Sequence, residues 1–234
     1  MPAKRFITLR FALAKTLPIA LSYFFISTAY GIILGQAGYS FVWALFSSAF
    51  VYTGAFQFVL ATFLTGGASL LTVGLTALFM NSRHIFYGLS FIKPFKKTGK
   101  LYPYMIHTLT DETYSLYCSL DYPKEVDETR AMVYIAVLAH AYWIVGSVFG
   151  AVVGNVLPLT LEGVDFCLTA LFVTIVIDQW KAAKSHVSVL VGFGCGILCL
   201  LLLGASSFIL PALILTSAIL IIYNAKNTNK EVQS

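Results

Sequence analysis

The stretch FVWALFSSAFVYTGAFQFVLATFL, residues 41–64, carries no charged side chain and is long enough to cross a bilayer, whose hydrocarbon core takes about 20 apolar residues as helix. Its middle is unlike a simple span. Tyr52, Thr53, Gly54 and Gln57 put a hydrogen-bonding cluster and a flexible glycine where an uninterrupted helix would keep aliphatic residues. A helix broken at membrane depth is tolerated where the freed backbone lines a cavity enclosed by protein. The segment therefore predicts a dip or a broken helix rather than a plain crossing. The fold it implies is an all-α integral membrane protein, a polytopic helical bundle of about six to eight membrane segments with a re-entrant or broken helix.

The remainder of the chain agrees with lipid as its solvent. Of 234 residues, 59% are hydrophobic and 11% charged, against about 25% charged in a soluble domain. Apolar runs occur at 16–35, 41–64, 68–92, 131–157, 159–180, 187–204 and 206–223, with a weaker one at 101–120. They leave room for one polytopic domain over 1–234 and no soluble one. The basic N-terminal segment with Lys4, Arg5, Arg10 and Lys15 precedes a run too long for a signal peptide, so a retained first helix is expected. The net charge of +5 sits in short clusters at the ends of apolar runs, which is how a protein is oriented in a bilayer and not how it grips nucleic acid.

Those clusters argue the topology. Every Lys and Arg except Arg83 lies outside the apolar runs. If all eight runs crossed, the group Lys93, Lys96, Lys97 and Lys100 would face away from the cytoplasm. If one early run only dips and 101–120 does not cross, all of these charges and both termini are cytoplasmic and six full spans remain. The second arrangement is the one expected, with 41–64 as the dip. Gly31 with Gly35, the stripe Gly146, Gly150 and Gly154, and Gly192 with Gly196 are spaced for close helix approach. Packing inside the chain accounts for most of these. A second subunit against the Gly146–Gly154 stripe is the further possibility. Cys118, Cys167, Cys195 and Cys199 contain no C-x-x-C pair and read as packing residues, so neither a metal nor a cofactor is expected.

Ionisable side chains inside a span cost about 2.5–3.5 kcal/mol each on insertion scales, so they are kept for a purpose. Asn81-Ser82-Arg83-His84 is the clearest group, with Asn81 and His84 on one helix face. It marks either the end of a span, with Arg83 reaching to the interface, or a site. Leu109-Thr110-Asp111-Glu112-Thr113 is the second, amid Tyr102, Tyr104, Tyr114, Tyr117 and Tyr122. An amphipathic helix lying on the membrane would explain it. If it enters the protein instead, Asp111 or Glu112 could carry protons, because burial favours the neutral carboxyl. Glu162 and Asp165 lie near the start of the run 159–180 and Asp178 near its end, where they suit a helix cap and an interface, and His140 lies mid-span, where a satisfied packing residue is the usual role.

At these positions the chain resembles the AzlC-type large subunits of branched-chain amino acid exporters. The likeness rests on Tyr52-Thr53-Gly54-Ala55-Phe56-Gln57-Phe58, on Asn81-Ser82-Arg83-His84-Ile85-Phe86-Tyr87, on Leu109 to Thr113 and on Asp165-Phe166-Cys167-Leu168-Thr169-Ala170-Leu171-Phe172. It implies a multi-pass exporter of hydrophobic amino acids in the bacterial cytoplasmic membrane, working with a small AzlD-type membrane subunit. With the proton gradient as driving force, Gln57, Asn81, Arg83, Tyr52 and Gly54 are expected to bind the zwitterion, Arg83 pairing with its carboxylate. Asp111, Glu112, Asp165 and His84 are expected to hold the amino group or a coupling proton. Two other classes compete. An intramembrane hydrolase would pair Ser69 with His140, although no H-E-x-x-H metalloprotease signature occurs. A non-transporting scaffold or channel subunit would show no stabilisation by ligand.

Overall fold

A computed structural model describes residues 2–156, 173, 176–177, 180–181, 185–204 and 208–231. Among them every regular element is helical: α1 (Pro2–Gln36), α2 (Phe41–Phe50), α3 (Ala55–Gly66), α4 (Leu70–Asn81), α5 (Arg83–Lys96), a 3-10 turn at Gly99–Leu101, α6 (Tyr102–His107), α7 (Asp111–Ser119), α8 (Glu128–Val156), α9 (Val187–Leu203) and α10 (Ile209–Glu231). Among the described residues two helices, α1 and α8, are long and apolar enough to cross a membrane. At 1.5 Å per residue α8 runs about 44 Å, well beyond a hydrocarbon core of about 30 Å.

The described residues fall into two compact units. The first takes residues 1–69 and 84–176, the second 70–83 and 177–234. In the second, α9 packs on α10, and α10 also touches α4.

The first unit is organised by α1 against α8, the most extensive helix contact in the chain. Glycine permits it. A Cβ on Gly154 would stand 2.6 Å from the Ile32 carbonyl oxygen, and one on Gly35 would stand 2.7 Å from that of Ala151. One on Gly150 would run into the Thr28 carbonyl, and one on Gly31 into that of Ser147. These are backbone obstacles that no rotamer change relieves. The stripe Gly146–Gly154 is thus occupied by α1 of the same chain, which overturns the idea of a second subunit on that face. The opposite face of α8 carries Val145, Phe149, Val152 and Val156, all at least 47% exposed. With Phe6, Leu17, Leu21 and Phe25 exposed on α1, the pair presents the apolar exterior that lipid requires.

Between these helices and their neighbours the chain breaks repeatedly. The run 41–64 becomes α2 and α3, of 10 and 12 residues, about 15 and 18 Å long and each about half a membrane deep. That is the expected break, at the expected residues. The apolar run 68–92 is also divided, at Ser82 between α4 and α5, where Asn81-Ser82-Arg83-His84 offers either the end of a span or a site. The weak run 101–120 becomes α6 and α7, with Met105, Leu109, Thr110, Thr113 and Tyr117 buried. It enters the protein rather than lying flat as an amphipathic helix, and its tyrosines fill an interior cluster with Phe95, Met132 and Ile135.

Candidate functional site

The break between α2 and α3 is set by Tyr52-Thr53-Gly54. Tyr52 has φ 40° and Gly54 φ 49°, left-handed values that glycine adopts freely and tyrosine only under strain. The amides of Val51 and Tyr52 both turn back to the Ser47 carbonyl, at 2.8 and 3.2 Å. No following helical amide remains for the carbonyls of Ser48 and Ala49. In an apolar surrounding each would cost several kcal/mol if left unmet, about 1–3 kcal/mol by protein measurements.

Two imidazoles meet them. His140 Nε2 lies 3.2 Å from the Ser48 carbonyl oxygen and His107 Nε2 lies 3.0 Å from that of Ala49. A carbonyl only accepts, so both rings carry the proton on Nε2. Nδ1 of His140 then accepts from the Tyr104 hydroxyl at 3.1 Å. Both nitrogens of His140 are therefore engaged, and neither is turned to Ser69 as a hydrolytic base. Gln57 completes the brace: its amide nitrogen donates to Ser48 Oγ at 3.3 Å, and its oxygen accepts from Trp143 Nε1 at 2.9 Å. Gln57 is fully buried.

The second break, at Thr108–Thr110, starts α7 with a reciprocal cap. Thr110 N donates to Thr113 Oγ1 at 2.8 Å, and Thr113 N donates to Thr110 Oγ1 at 3.4 Å. Asp111 and Glu112 occupy the first turn, where the helix dipole favours negative charge. Tyr87 donates to Asp111 Oδ1 at 2.7 Å, while Tyr23 donates to Glu112 Oε2 at 2.6 Å. Because that hydroxyl hydrogen is used, the 2.6 Å contact between Tyr23 Oη and Thr110 Oγ1 has threonine as donor. Thr110, Tyr23 and Glu112 thus form one hydrogen-bonded chain.

Both breaks open on one cavity of the first unit, about 30 Å³ in volume and lined by Tyr23, Ile26, Tyr52, Thr53, Gly54, Ala55, His84, Thr110, Asp111, Glu112 and Trp143. Three aromatic rings frame it. Tyr23 meets Trp143 edge-on at 5.1 Å, and Tyr52 meets Trp143 at 6.4 Å and 79°. The hydroxyls of Tyr52 and Thr53 are buried without a hydrogen-bond partner. A cavity of 150 Å³ is about what benzene needs, so this one has room for no more than a water molecule or so and must widen to admit anything larger.

Of the residues singled out by sequence, Tyr52, Gly54, His84, Asp111 and Glu112 line the cavity together. Gln57 stands one layer behind, holding Trp143. Asn81 and Arg83 belong to the second unit. Asp165 lies outside the described residues, as do Glu162 and Asp178. Tyr23, Ile26 and Trp143 were not singled out. Tyr23 had a signal, a phenol deep in the run 16–35 that needs a partner, and so did Trp143, one turn after His140 in a span.

Broken helices whose ends, acids and hydroxyls converge on a small cavity, inside an exterior of exposed aliphatic and aromatic side chains, define a helical membrane protein. The AzlC protein family matches residues 18–157, and the chain belongs to that family. The branched-chain amino acid transport protein AzlC of Bacillus subtilis (strain 168) is 34% identical over 223 residues, 95% of this chain and 88% of its own length. A membrane protein of Helicobacter pylori (strain J99) is 38% identical over 212 residues, 91% and 93% of the two chains. The inner membrane protein YgaZ of Escherichia coli (strain K12) is 30% identical over 183 residues, 73% and 72%. No solved structure matches.

Proposed function

We propose that this protein exports branched-chain or related hydrophobic amino acids from the cytoplasm, as a multi-pass protein of the bacterial inner membrane with six to eight membrane segments and both termini cytoplasmic. The B. subtilis relative named for branched-chain amino acid transport supports the substrate. The observation that carries the reading is the cavity itself, where α3 and α7 begin beside two carboxylates, two unpartnered hydroxyls and aromatic walls. An amino acid presents matching groups. Its carboxylate suits the first turn of α3 and the Thr53 hydroxyl, since helix N-termini favour anions. Its ammonium suits Glu112 and Asp111, and its aliphatic side chain suits Ile26 and Trp143.

Gln57 serves in this scheme by holding Trp143 and the Ser48 hydroxyl of α2 rather than by touching cargo. The chain Thr110–Tyr23–Glu112 offers a route for a coupling proton, so that a proton and the substrate ammonium alternate at Glu112, with Asp111 and His84 beside it. A small AzlD-type membrane subunit completes the working assembly.

The test is efflux of labelled leucine from cells expressing the chain together with such a subunit. Glu112→Gln should lower the efflux rate at least tenfold while the amount of protein in the membrane is unchanged. Wild-type efflux from that variant would remove Glu112 from the mechanism. Wild-type cells that retain leucine as well as cells lacking the protein would remove export altogether.

A further inference from the structure

The cavity is built more strongly for an ammonium group than for a carboxylate. Its polar lining places the carboxylates of Asp111 and Glu112 among three aromatic rings, those of Tyr23, Tyr52 and Trp143. Carboxylates supply a counter-charge, and ring faces attract cations through their quadrupoles, more so out of water. An anion meets the opposite conditions against the same walls.

Tyr52 supplies the independent observation. It is 2% exposed, lines the cavity, and its hydroxyl has no hydrogen-bond partner. The residue is held in a left-handed backbone conformation, φ 40°, and its ring packs on His140 with centroids 4.4 Å apart. A buried phenol is normally paired, because leaving it unmet is unfavourable. Tyr23, on the neighbouring helix, shows the ordinary outcome with its two short contacts to Thr110 and Glu112. An unmatched hydroxyl near the Glu112 carboxylate, on a residue that lines a cavity, is a position suited to a ligand. Its oxygen can accept one N–H of a primary ammonium whose charge is met by Glu112.

We infer that the site reads the primary ammonium group of its cargo, through Tyr52 Oη and Glu112 within an aromatic frame, so that small hydrophobic primary amines bind even without a carboxylate. This rests on the proposed transport reading and narrows it: the substrate class becomes the branched aliphatic amine, of which leucine is one member.

The experiment uses purified full-length protein in detergent and follows its unfolding midpoint and ligand affinity with four probes of one side chain. These are L-leucine, L-leucinamide, 3-methylbutylamine (no carboxylate) and 4-methylpentanoate (no amine). Leucine, leucinamide and 3-methylbutylamine should each raise the midpoint in proportion to occupancy, and 4-methylpentanoate should not. Tyr52→Phe, which keeps the ring, should weaken 3-methylbutylamine and leucine about tenfold or more, as expected for a hydrogen bond to a charged group.

Stabilisation by leucine without stabilisation by 3-methylbutylamine would overturn the inference and leave the transport proposal standing. So would equal binding of 4-methylpentanoate, or a Tyr52→Phe variant with unchanged amine affinity. Failure of all four probes would remove both readings. The comparison among probes on the wild-type protein stands even if Tyr52→Phe does not fold.

Discussion

The α1–α8 pair and the broken helices α2/α3 and α6/α7 solve opposite problems inside one unit. The pair is a seam of glycine and small residues in which backbones approach until no side chain fits between them. Apart from the bond that Pro18 cannot donate inside α1, each of its helices is continuous, and its strength is packing. The broken helices leave carbonyls without helical partners and depend on side chains beyond the break, His140 on the Ser48 carbonyl and His107 on that of Ala49, with Gln57 on the Ser48 hydroxyl and Tyr23 on the start of α7. A membrane protein can afford interrupted backbone only beside an element rigid enough to hold the replacements in register. Here α1 and α8 are that element, and they deliver Tyr23, His140 and Trp143 to the breaks.

The comparison is broken most violently at the seam. Gly150→Leu drives a side chain into the Thr28 backbone, and with no rotamer to yield the loss should exceed the usual overpacking cost of about 1–3 kcal/mol. Little folded protein should survive detergent extraction, as read by size-exclusion chromatography. A normal monodisperse peak at wild-type yield would mean the seam is far looser than described.

A smaller effect is expected at the breaks. Gln57→Leu removes the acceptor for Trp143 Nε1, at a cost of about 1–3 kcal/mol for the orphaned donor. The unfolding midpoint should drop by several degrees with the helical circular dichroism spectrum intact, and Trp143 fluorescence should change as its indole loses its partner. His140→Leu should cost a similar or slightly smaller amount by exposing the Ser48 carbonyl. Wild-type midpoints in both variants would mean that water or relaxation meets these groups just as well.

The smallest effect belongs to a glycine of the same spacing but different surroundings. Among the described residues a Cβ on Gly192 in α9 meets nothing within 4 Å, so Gly192→Ala should be neutral or stabilising by about 0.5–1 kcal/mol, because alanine is the better helix former. Measured beside Gly150→Ala, it separates a packed glycine from one that merely shares the pattern.

That pair also shows how far the sequence was legible. Spacing marked Gly146–Gly154 and Gly192–Gly196 alike, and only the neighbours tell them apart. The first break was readable because Tyr52, Thr53, Gly54 and Gln57 are individually wrong for an uninterrupted apolar helix. The break at Ser82 was only half readable, since Asn81-Ser82-Arg83-His84 offered either the end of a span or a site, and the largely apolar residues from Ile85 onward argued against a simple end. Asp111 and Glu112 were visible as costly charges, but whether 101–120 lay on the membrane or entered the protein turned on which side its tyrosines faced. Gln57 was read as a ligand group, and the structure engages its amide with Trp143 and Ser48, which composition could not reveal.

What the amino-acid order fixed without help is the solvent and the points of weakness. Apolar content demands lipid, and local chemistry at Tyr52–Gly54 and Thr110–Glu112 dictates where helices stop. What only the folded chain decided is who meets the groups those stops expose. The partners are remote: His107 and Ala49 are 58 positions apart, Tyr23 and Glu112 are 89, and His140 and Ser48 are 92. Hydrogen bonds reach about 3 Å, so such pairings exist only once the glycine seam has set the register of α1 against α8.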